Sequence, residues 1–595
     1  MTGPVCFVVA APSPASLRSD ERVETMDGQE RGVAAQTGAE SLLLGLKASG
    51  IDYLFANAGT DFPPIIEAFA TLDPQSVPVP VTVPHETASV GMAHGHYLVT
   101  GRMQATMVHV NVGLANSVMG VINAASDNIP VMVLSGRTPI TERGRKGARM
   151  TPIQYGQEMY DQSSLVSDSV KFHYEMRYPE QGEILAQRAA VLARSEPCGP
   201  VYVSLPREPL TERVPETVGR AISVQAVSTR AFPDPDAIAQ AADWLAAAKH
   251  PVVLCQRGDT EGRVGKALAR LAADFAVGVC EPFAIRNVMA SADPMFLGND
   301  PKAALEGADF VLVVDSGVPW IEAVHRPDAN VKIVQMGADP QFERMPIRGY
   351  QADLAITSDP AAGLEALHAA LASRQLEIGA RRDAIAARSS DRRRAMADAI
   401  EAGKASPMGA EWLSKCVSDI LGDDGVVFSE LGIVPGAIDA KGPNRVFCNP
   451  HSGGLGWALP AALGAQLADR DRLVVACVGD GSYMFANPTA CHQIAEALDL
   501  PLLTIVKNNG MWNAVRRSVV NAYPQGAAAK ANRMPLTSLE PAPDYTMLAA
   551  ANRAHVERVD HGADLPAALQ RALKVMQEEK RQAMIEVRVA ISDRY

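Results

Sequence analysis

Asp480 stands between Gly479 and Gly481 at the end of the apolar run LVVACV (473–478). Asn508 and Asn509 close the next apolar run, LLTIV (502–506). A carboxylate and an amide carbonyl are hard oxygen ligands. They are too few for an all-protein calcium cage, but they suit Mg²⁺, which completes its octahedron with phosphate oxygens and water. The backbone carbonyl of Met511, just beyond the pair, offers one more oxygen. Gly479 and Gly481 carry no Cβ, so the backbone there can approach a bulky anion. The residue types describe a clamp for a magnesium diphosphate.

For that chemistry to work, two positions 29 residues apart must meet. The segment between them, NPTACHQIAEAL, reads as a helix with Ala490, Ile494, Ala497 and Leu498 on one face. A strand–helix–strand unit is right-handed and lays its strands parallel, so both C-terminal ends share one sheet edge. Open parallel sheets bind ligands at that edge. A GDG turn or an asparagine pair alone is an ordinary loop feature; both at the ends of consecutive strands are far more specific. A dinucleotide fold would need G-x-G-x-x-G after a strand, and no such run follows one here.

The chain has 595 residues, 47% hydrophobic and 21% charged, with a formal net charge of −12. That length suits three domains, and the composition can bury large cores. No long basic run argues for nucleic acid. Eight cysteines are scattered without a CxxC pair, which argues against structural zinc and for reduced thiols in a cytoplasmic protein. The apolar stretch VCFVVAA (5–11) is too short to span a bilayer. Residues 1–35 read as a disordered leader, with Met26 an alternative start.

Apolar runs alternate with Ala/Leu-rich helical stretches throughout, which predicts an α/β protein with three doubly wound parallel sheets. The expected domains span 36–211, 230–375 and 405–595. A polar, proline-containing linker covers about 212–234, and a charged helix before residue 405 leads into the third block.

The GDG…NN pair resembles the signature of the thiamine diphosphate-dependent decarboxylases and carboligases, the group that includes benzoylformate decarboxylase and acetohydroxyacid synthase. The similarity extends over nearly all the chain after residue 35. It implies a pyrimidine-binding first domain, a central domain that is structural or binds a flavin, and a diphosphate-binding third domain. It implies that Asp480, Asn509 and the Met511 carbonyl hold Mg²⁺, and that Ser482 helps the loop hold the phosphates. In HSGGLGWALPAALGAQLA (451–468), Leu455 takes the place of the family's apolar wedge under the cofactor, flanked by Gly453, Gly454 and Gly456. In VTVPHETASV, Glu86 takes the place of the glutamate that hydrogen-bonds the aminopyrimidine, so that a neighbouring ring nitrogen can remove the thiazolium C2 proton. Without the resemblance, Glu86 is an ordinary first-turn helix glutamate. Because the two halves of the site lie in different blocks, the family pairs them across subunits, which implies a homodimer or homotetramer.

Three further residues follow from the resemblance to benzoylformate decarboxylase. Thr60, in FANAGTDFPP, stands at a serine position facing substrate. His109, in MVHVNVGLAN, stands at a histidine able to relay protons near neutral pH, with Asn111 close by. His94 and His96, two apart on a helix, point to different sides and are read as structural. Departures are also plain. HVNVGLAN replaces the Ser-Gly-Pro-Gly run of acetohydroxyacid synthases, the central stretch 281–300 holds no histidine, and the adjacent His-His pair of pyruvate decarboxylases is missing. The expected activity is cleavage or formation of a C–C bond next to a carbonyl, on a small 2-oxo acid or related carbonyl compound. The alternatives are a diketone hydrolase or a flavin-linked 2-oxo acid oxidase with the same cofactor, FAD being left open, and a non-catalytic cofactor-binding protein.

Overall fold

The computed structural model describes residues 36–216, 225–531 and 533–592. The expected leader lies outside them, as does part of the expected linker. The apolar runs fold into three six-stranded sheets in which every strand pair is parallel. The first holds β1 (Tyr53–Ala56), β2 (Val79–Thr82), β3 (Ala105–Val108), β4 (Met132–Arg137), β5 (His173–Glu175) and β6 (Val201–Pro206). The second holds β7 (Pro251–Cys255), β8 (Gly278–Cys280), β9 (Phe296–Gly298), β10 (Phe310–Val314), β11 (Lys332–Gly337) and β12 (Leu354–Thr357). The third holds β13 (Val426–Glu430), β14 (Val446–Cys448), β15 (Val474–Gly479), β16 (Leu503–Asn508), β17 (His555–Val559) and β18 (Ala583–Arg588).

The first sheet runs β2-β1-β3-β4-β6-β5 and the third β14-β13-β15-β16-β18-β17. Numbered within each sheet, both read 2-1-3-4-6-5. Strand order therefore reverses between β1 and β3 and again between β13 and β15. Those are the crevices in which open parallel sheets take ligands. The long buried strands were legible as apolar runs. The sequence reading missed β5, β8, β9, β12, β14 and β17, because three to five residues are too few to show a period.

Two helices set the site. Glu86–Thr100 starts directly after β2, with the His85 ring nitrogen accepting the Thr87 N–H, and ends at Gly101, whose φ of 69° suits a left-handed cap. Ala458–Ala468 is buried along almost its whole length. The two pack backbone to backbone through small residues. A Cβ on Gly95 would stand 1.9 Å from the Ala461 carbonyl, and one on Gly464 2.0 Å from the Met92 carbonyl. One apolar cluster, including Met92, Leu98, Leu114, Trp457, Ala461 and Val474, joins the first and third blocks across this contact. His94 and His96 are both in the core. A Gly464→Val substitution is expected to destabilise the fold by about 3 kcal/mol through overpacking, read as a lower denaturant midpoint. It should also disturb Glu86, the first residue of the displaced helix.

One sequence expectation needs correcting. The Pro488–Ala497 helix buries Pro488, Cys491, His492, Ile494 and Ala495, while Ala497 is exposed and Ala490 and Leu498 are half-buried. The misreading came from overlooking His492, which satisfies both ring nitrogens inside the core, on Tyr483 and Gln582. The helix after β3 begins at Val110; Asn111 lies in its first turn, and its amide oxygen is buried with no partner among the described residues. No helix among the described residues is long and apolar enough to cross a membrane.

Candidate active site

The third sheet brings its oxygen ligands to one edge. Asp480 follows β15 and opens the short helix Asp480–Phe485. One carboxylate oxygen accepts the Gly481 N–H at 2.8 Å; the other accepts those of Asn509 at 3.2 Å and Gly510 at 2.8 Å. Burial raises its pKa, while these N–H groups and Lys507 pull it back down. The asparagine pair divides its work. Asn508 is buried and donates to Glu586 on β18 at 2.7 Å, bracing the turn from inside. Asn509 is half-buried, and its side-chain oxygen accepts the Met511 N–H at 3.1 Å. The Met511 carbonyl accepts the Asn513 N–H and keeps its second lone pair. Asp480, Asn509 and Met511 thus form one polar turn, as the sequence spacing required.

The glycines differ from expectation. A Cβ on Gly481 would stand 2.1 Å from the Trp512 ring, so that glycine makes room for an indole and not for an anion. Gly453 is open, and a Cβ on Gly479 would meet Glu430, Leu431 and Ser482 only at 3.9 Å. Gly454 lies against Asn123, which donates to its carbonyl at 2.9 Å, and Gly456 has a φ of 92°. Leu455 stands half-buried between them.

Glu430 holds this loop, and the sequence reading missed it. It ends β13, across the order reversal from Asp480. Its carboxylate accepts the N–H groups of Gly456 at 2.6 Å, Trp457 at 2.7 Å and Ala458 at 2.8 Å, and it is hydrogen-bonded by Ser482. Burial raises the Glu430 pKa against those four hydrogen bonds. The available signal was an acid directly after a buried strand, in VVFSELG. Glu430→Ala orphans three buried N–H groups at about 1–3 kcal/mol each. The expected result is a loss of about 3 kcal/mol or more in chemical denaturation, with weaker cofactor binding as the Leu455 loop loosens.

The first sheet's edge carries the other residues. Glu86 is buried at the helix start, where the Asn116 amide donates to it at 3.1 Å, and a Cβ on Gly113 would stand 3.2 Å from its other oxygen. Thr60 is exposed, and its carbonyl accepts from Arg207. His109 follows β3 and bonds Asp61, which follows β1, at 2.5 Å. That bond holds the His109 pKa above the ordinary imidazole value, with burial opposing it.

One helix, Val110–Ser126, reaches both regions. Asn116 touches Glu86, while Asn123 of the same helix touches Gly454 and Ser452. Seven residues of helix put these contacts about 10 Å apart.

The donor chemistry fits a magnesium diphosphate: a turn with a buried carboxylate and half-buried amide and backbone oxygens. Among the described residues there is no cluster of three or more His, Cys, Asp and Glu that would hold a metal without such help.

Comparison with known proteins adds three matches along the chain. Residues 36–165 match the model of the thiamine pyrophosphate enzyme N-terminal TPP binding domain, 238–367 that of the central domain, and 433–587 that of the C-terminal TPP binding domain. The benzoylformate decarboxylase of Pseudomonas aeruginosa is 27% identical over 79% of this chain and 85% of its own. The acetolactate synthase large subunit of Parasynechococcus marenigrum is 24% identical over 84% of this chain and 81% of its own. Among solved structures, the thiamine diphosphate-dependent 4-hydroxybenzoylformate decarboxylase of Rhodococcus jostii RHA1 superposes with a TM-score of 0.75 at 23% identity, over 94% of this chain and 100% of its own.

Proposed function

The chain belongs to the thiamine pyrophosphate enzymes, and from that premise we propose that it cleaves or forms a carbon–carbon bond next to the carbonyl of a small 2-oxo acid, as a decarboxylase or carboligase. The observation that carries this reading is the turn formed by Asp480, Asn509 and Met511 at the third sheet's order reversal, with Glu430 holding the Leu455 loop beside it. Asp480, Asn509 and the Met511 carbonyl would hold Mg²⁺ and through it the diphosphate. Gly454 and Leu455 would support the cofactor, next to Gly479 and Ser482. When bound, thiamine diphosphate supplies a carbon nucleophile and an electron sink. Glu86 would hold the aminopyrimidine by a hydrogen bond, its carboxylate steadied by Asn116. His109 and Thr60 would line the substrate side. Domain limits at 36–211, 230–375 and 405–595 place one sheet in each. The seven unbonded cysteines among the described residues suit a reducing compartment, and we place the enzyme in the cytoplasm.

We assign a homodimer as the smallest active unit. Glu86 and the Leu455 loop meet the Val110–Ser126 helix about 10 Å apart, and exposed apolar side chains stand beside both regions of the site. Val112 and Ile122 are 48% and 41% exposed on the Val110–Ser126 helix, and Met484 and Phe485 are 46% and 55% exposed after Asp480. Apolar exposure beside both regions of the site suits an interface between copies. If Glu86 of one copy serves Asp480 of the other, a mixture of refolded Glu86→Gln and Asp480→Ala chains regains about a quarter of native turnover: half the dimers are mixed, and each has one intact site. No regain would place both residues of a site in one chain. The reaction itself is tested by following a panel of 2-oxo acids and diketones with the holoenzyme by mass spectrometry. Consumption of diketones alone would favour hydrolysis, and no consumption of any would remove the assignment.

A further inference from the structure

We propose that Gln157 is the substrate-facing end of a relay, Asp61–His109–Gln157, in which the protonation of His109 decides whether Gln157 turns its NH₂ or its carbonyl toward the substrate. This rests on the reading that the edge of the first sheet receives a carbonyl substrate.

Three neighbouring strands build the relay. Asp61 follows β1, His109 follows β3, and Gln157 is fastened to the end of β4. Arg137, the last residue of β4, donates to Glu158 at 2.7 Å, and Thr138 donates to the same carboxylate at 2.6 Å. Gln157 is thereby pinned beside β3. The Asp61 carboxylate lies over a glycine in β4: a Cβ on Gly136 would stand 1.6 Å from it. The His109 ring lies over Gly59, where a Cβ would stand 2.1 Å from Nδ1. The second Asp61 oxygen accepts the Val110 N–H at 3.2 Å. Val110 has a φ of 36°, rare for a β-branched residue, so the same carboxylate that holds the ring also holds a strained backbone at an active-site position.

Hydrogen-bond accounting gives the relay its function. A carboxylate only accepts, so His109 Nδ1 carries a proton whenever it bonds ionised Asp61 at 2.5 Å. His109 Nε2 lies 3.1 Å from the Gln157 amide nitrogen. If Nε2 is bare, Gln157 donates to it and keeps its carbonyl free. The Gln157 carbonyl oxygen is in fact buried with no partner among the described residues. If Nε2 is protonated, the amide turns over: its carbonyl accepts the Nε2–H and the NH₂ is left free. In either state one polar atom of a buried side chain awaits a partner, which native interiors rarely leave unmet. An NH₂ so placed suits the oxygen of a 2-oxo acid; a free carbonyl repels it. The direct contact is then Gln157, with His109 a positioning residue and Asp61 its anchor.

The charged groups facing His109 are Asp61, first in effect, and Glu86; both favour the protonated ring, and burial opposes them. The NH₂-outward state therefore persists to higher pH than an ordinary histidine would allow and is lost as pH rises through the His109 pKa. KM for an anionic 2-oxo acid should rise across that interval more than kcat changes.

The test uses the holoenzyme with whichever 2-oxo acid the native protein consumes. Gln157→Met is expected to raise KM by about tenfold to a hundredfold, the loss of a hydrogen bond to a charged group, and to flatten the pH profile of KM. Asp61→Asn should move the inflection to lower pH. Histidine-labelled protein, titrated by NMR without substrate, should show a shifted His109 pKa in Gln157→Met and a lowered one in Asp61→Asn. Gln157→Glu, closer in shape, covers the case in which the methionine variant does not fold, and should raise KM for the anion at least as much. A folded Gln157 variant with native KM, native pH profile and an unmoved His109 titration overturns the relay. A native protein that consumes none of the panel overturns the functional reading instead, while the His109 titration still decides the relay.

Discussion

Glu86→Gln should bind thiamine diphosphate with near-native affinity and lose kcat by about 10²–10⁴-fold, the usual worth of a positioned proton-transfer group. Among the described residues the carboxylate has one hydrogen-bonding partner, the Asn116 amide. Glutamine keeps an acceptor oxygen for that amide, so the helix start and the neighbouring Gly113 are undisturbed. What it removes is the ability to exchange a proton with the ring that Glu86 would hold. Isothermal titration gives the affinity, and single-turnover kinetics give the rate. A drop in affinity with unchanged turnover of the bound enzyme would make Glu86 a structural residue. Native turnover would remove it from the chemistry.

Asp480→Ala should weaken thiamine diphosphate binding in Mg²⁺ by about 100-fold or more, since loss of even an outer-sphere partner of a metal ligand typically costs 10–100-fold. The same substitution frees the N–H groups of Gly481, Asn509 and Gly510, so it also lowers the melting temperature. Asp480→Asn separates the two effects. It keeps one of the two acceptor oxygens, enough for the Asn509 and Gly510 N–H groups, and removes the negative charge that a divalent cation needs. The account expects a smaller loss of stability than in the alanine variant, with cofactor affinity still strongly reduced. If the asparagine variant binds as tightly as native, the turn is a fold element and not a cation site.

The architecture and half of the site could be read from residues alone because they rest on local signals. Alternating apolar and Ala-rich runs specify parallel sheets, and GDG and NN close two adjacent ones, so parallel topology forces Asp480 and Asn509 together. Residues whose roles depend on distant partners were not legible. Glu430 is 26 positions from the loop it staples, and nothing in VVFSELG says that three N–H groups converge on it. Gly481 looked like space for an anion until Trp512 was seen to fill it. His109 was found by resemblance, but Asp61 and Gln157, 48 positions away on either side, were not. The short strands β8 and β9 were lost for a different reason: three residues cannot show a period.

The most direct measurement is a calorimetric titration of thiamine diphosphate into the native protein, with and without Mg²⁺. Tight, saturable binding with Mg²⁺ that disappears in excess chelator and returns when the metal is restored is the expected result. Binding of equal strength in the chelator, or none under either condition, would contradict a cation held by Asp480 and Asn509 as the anchor of the site.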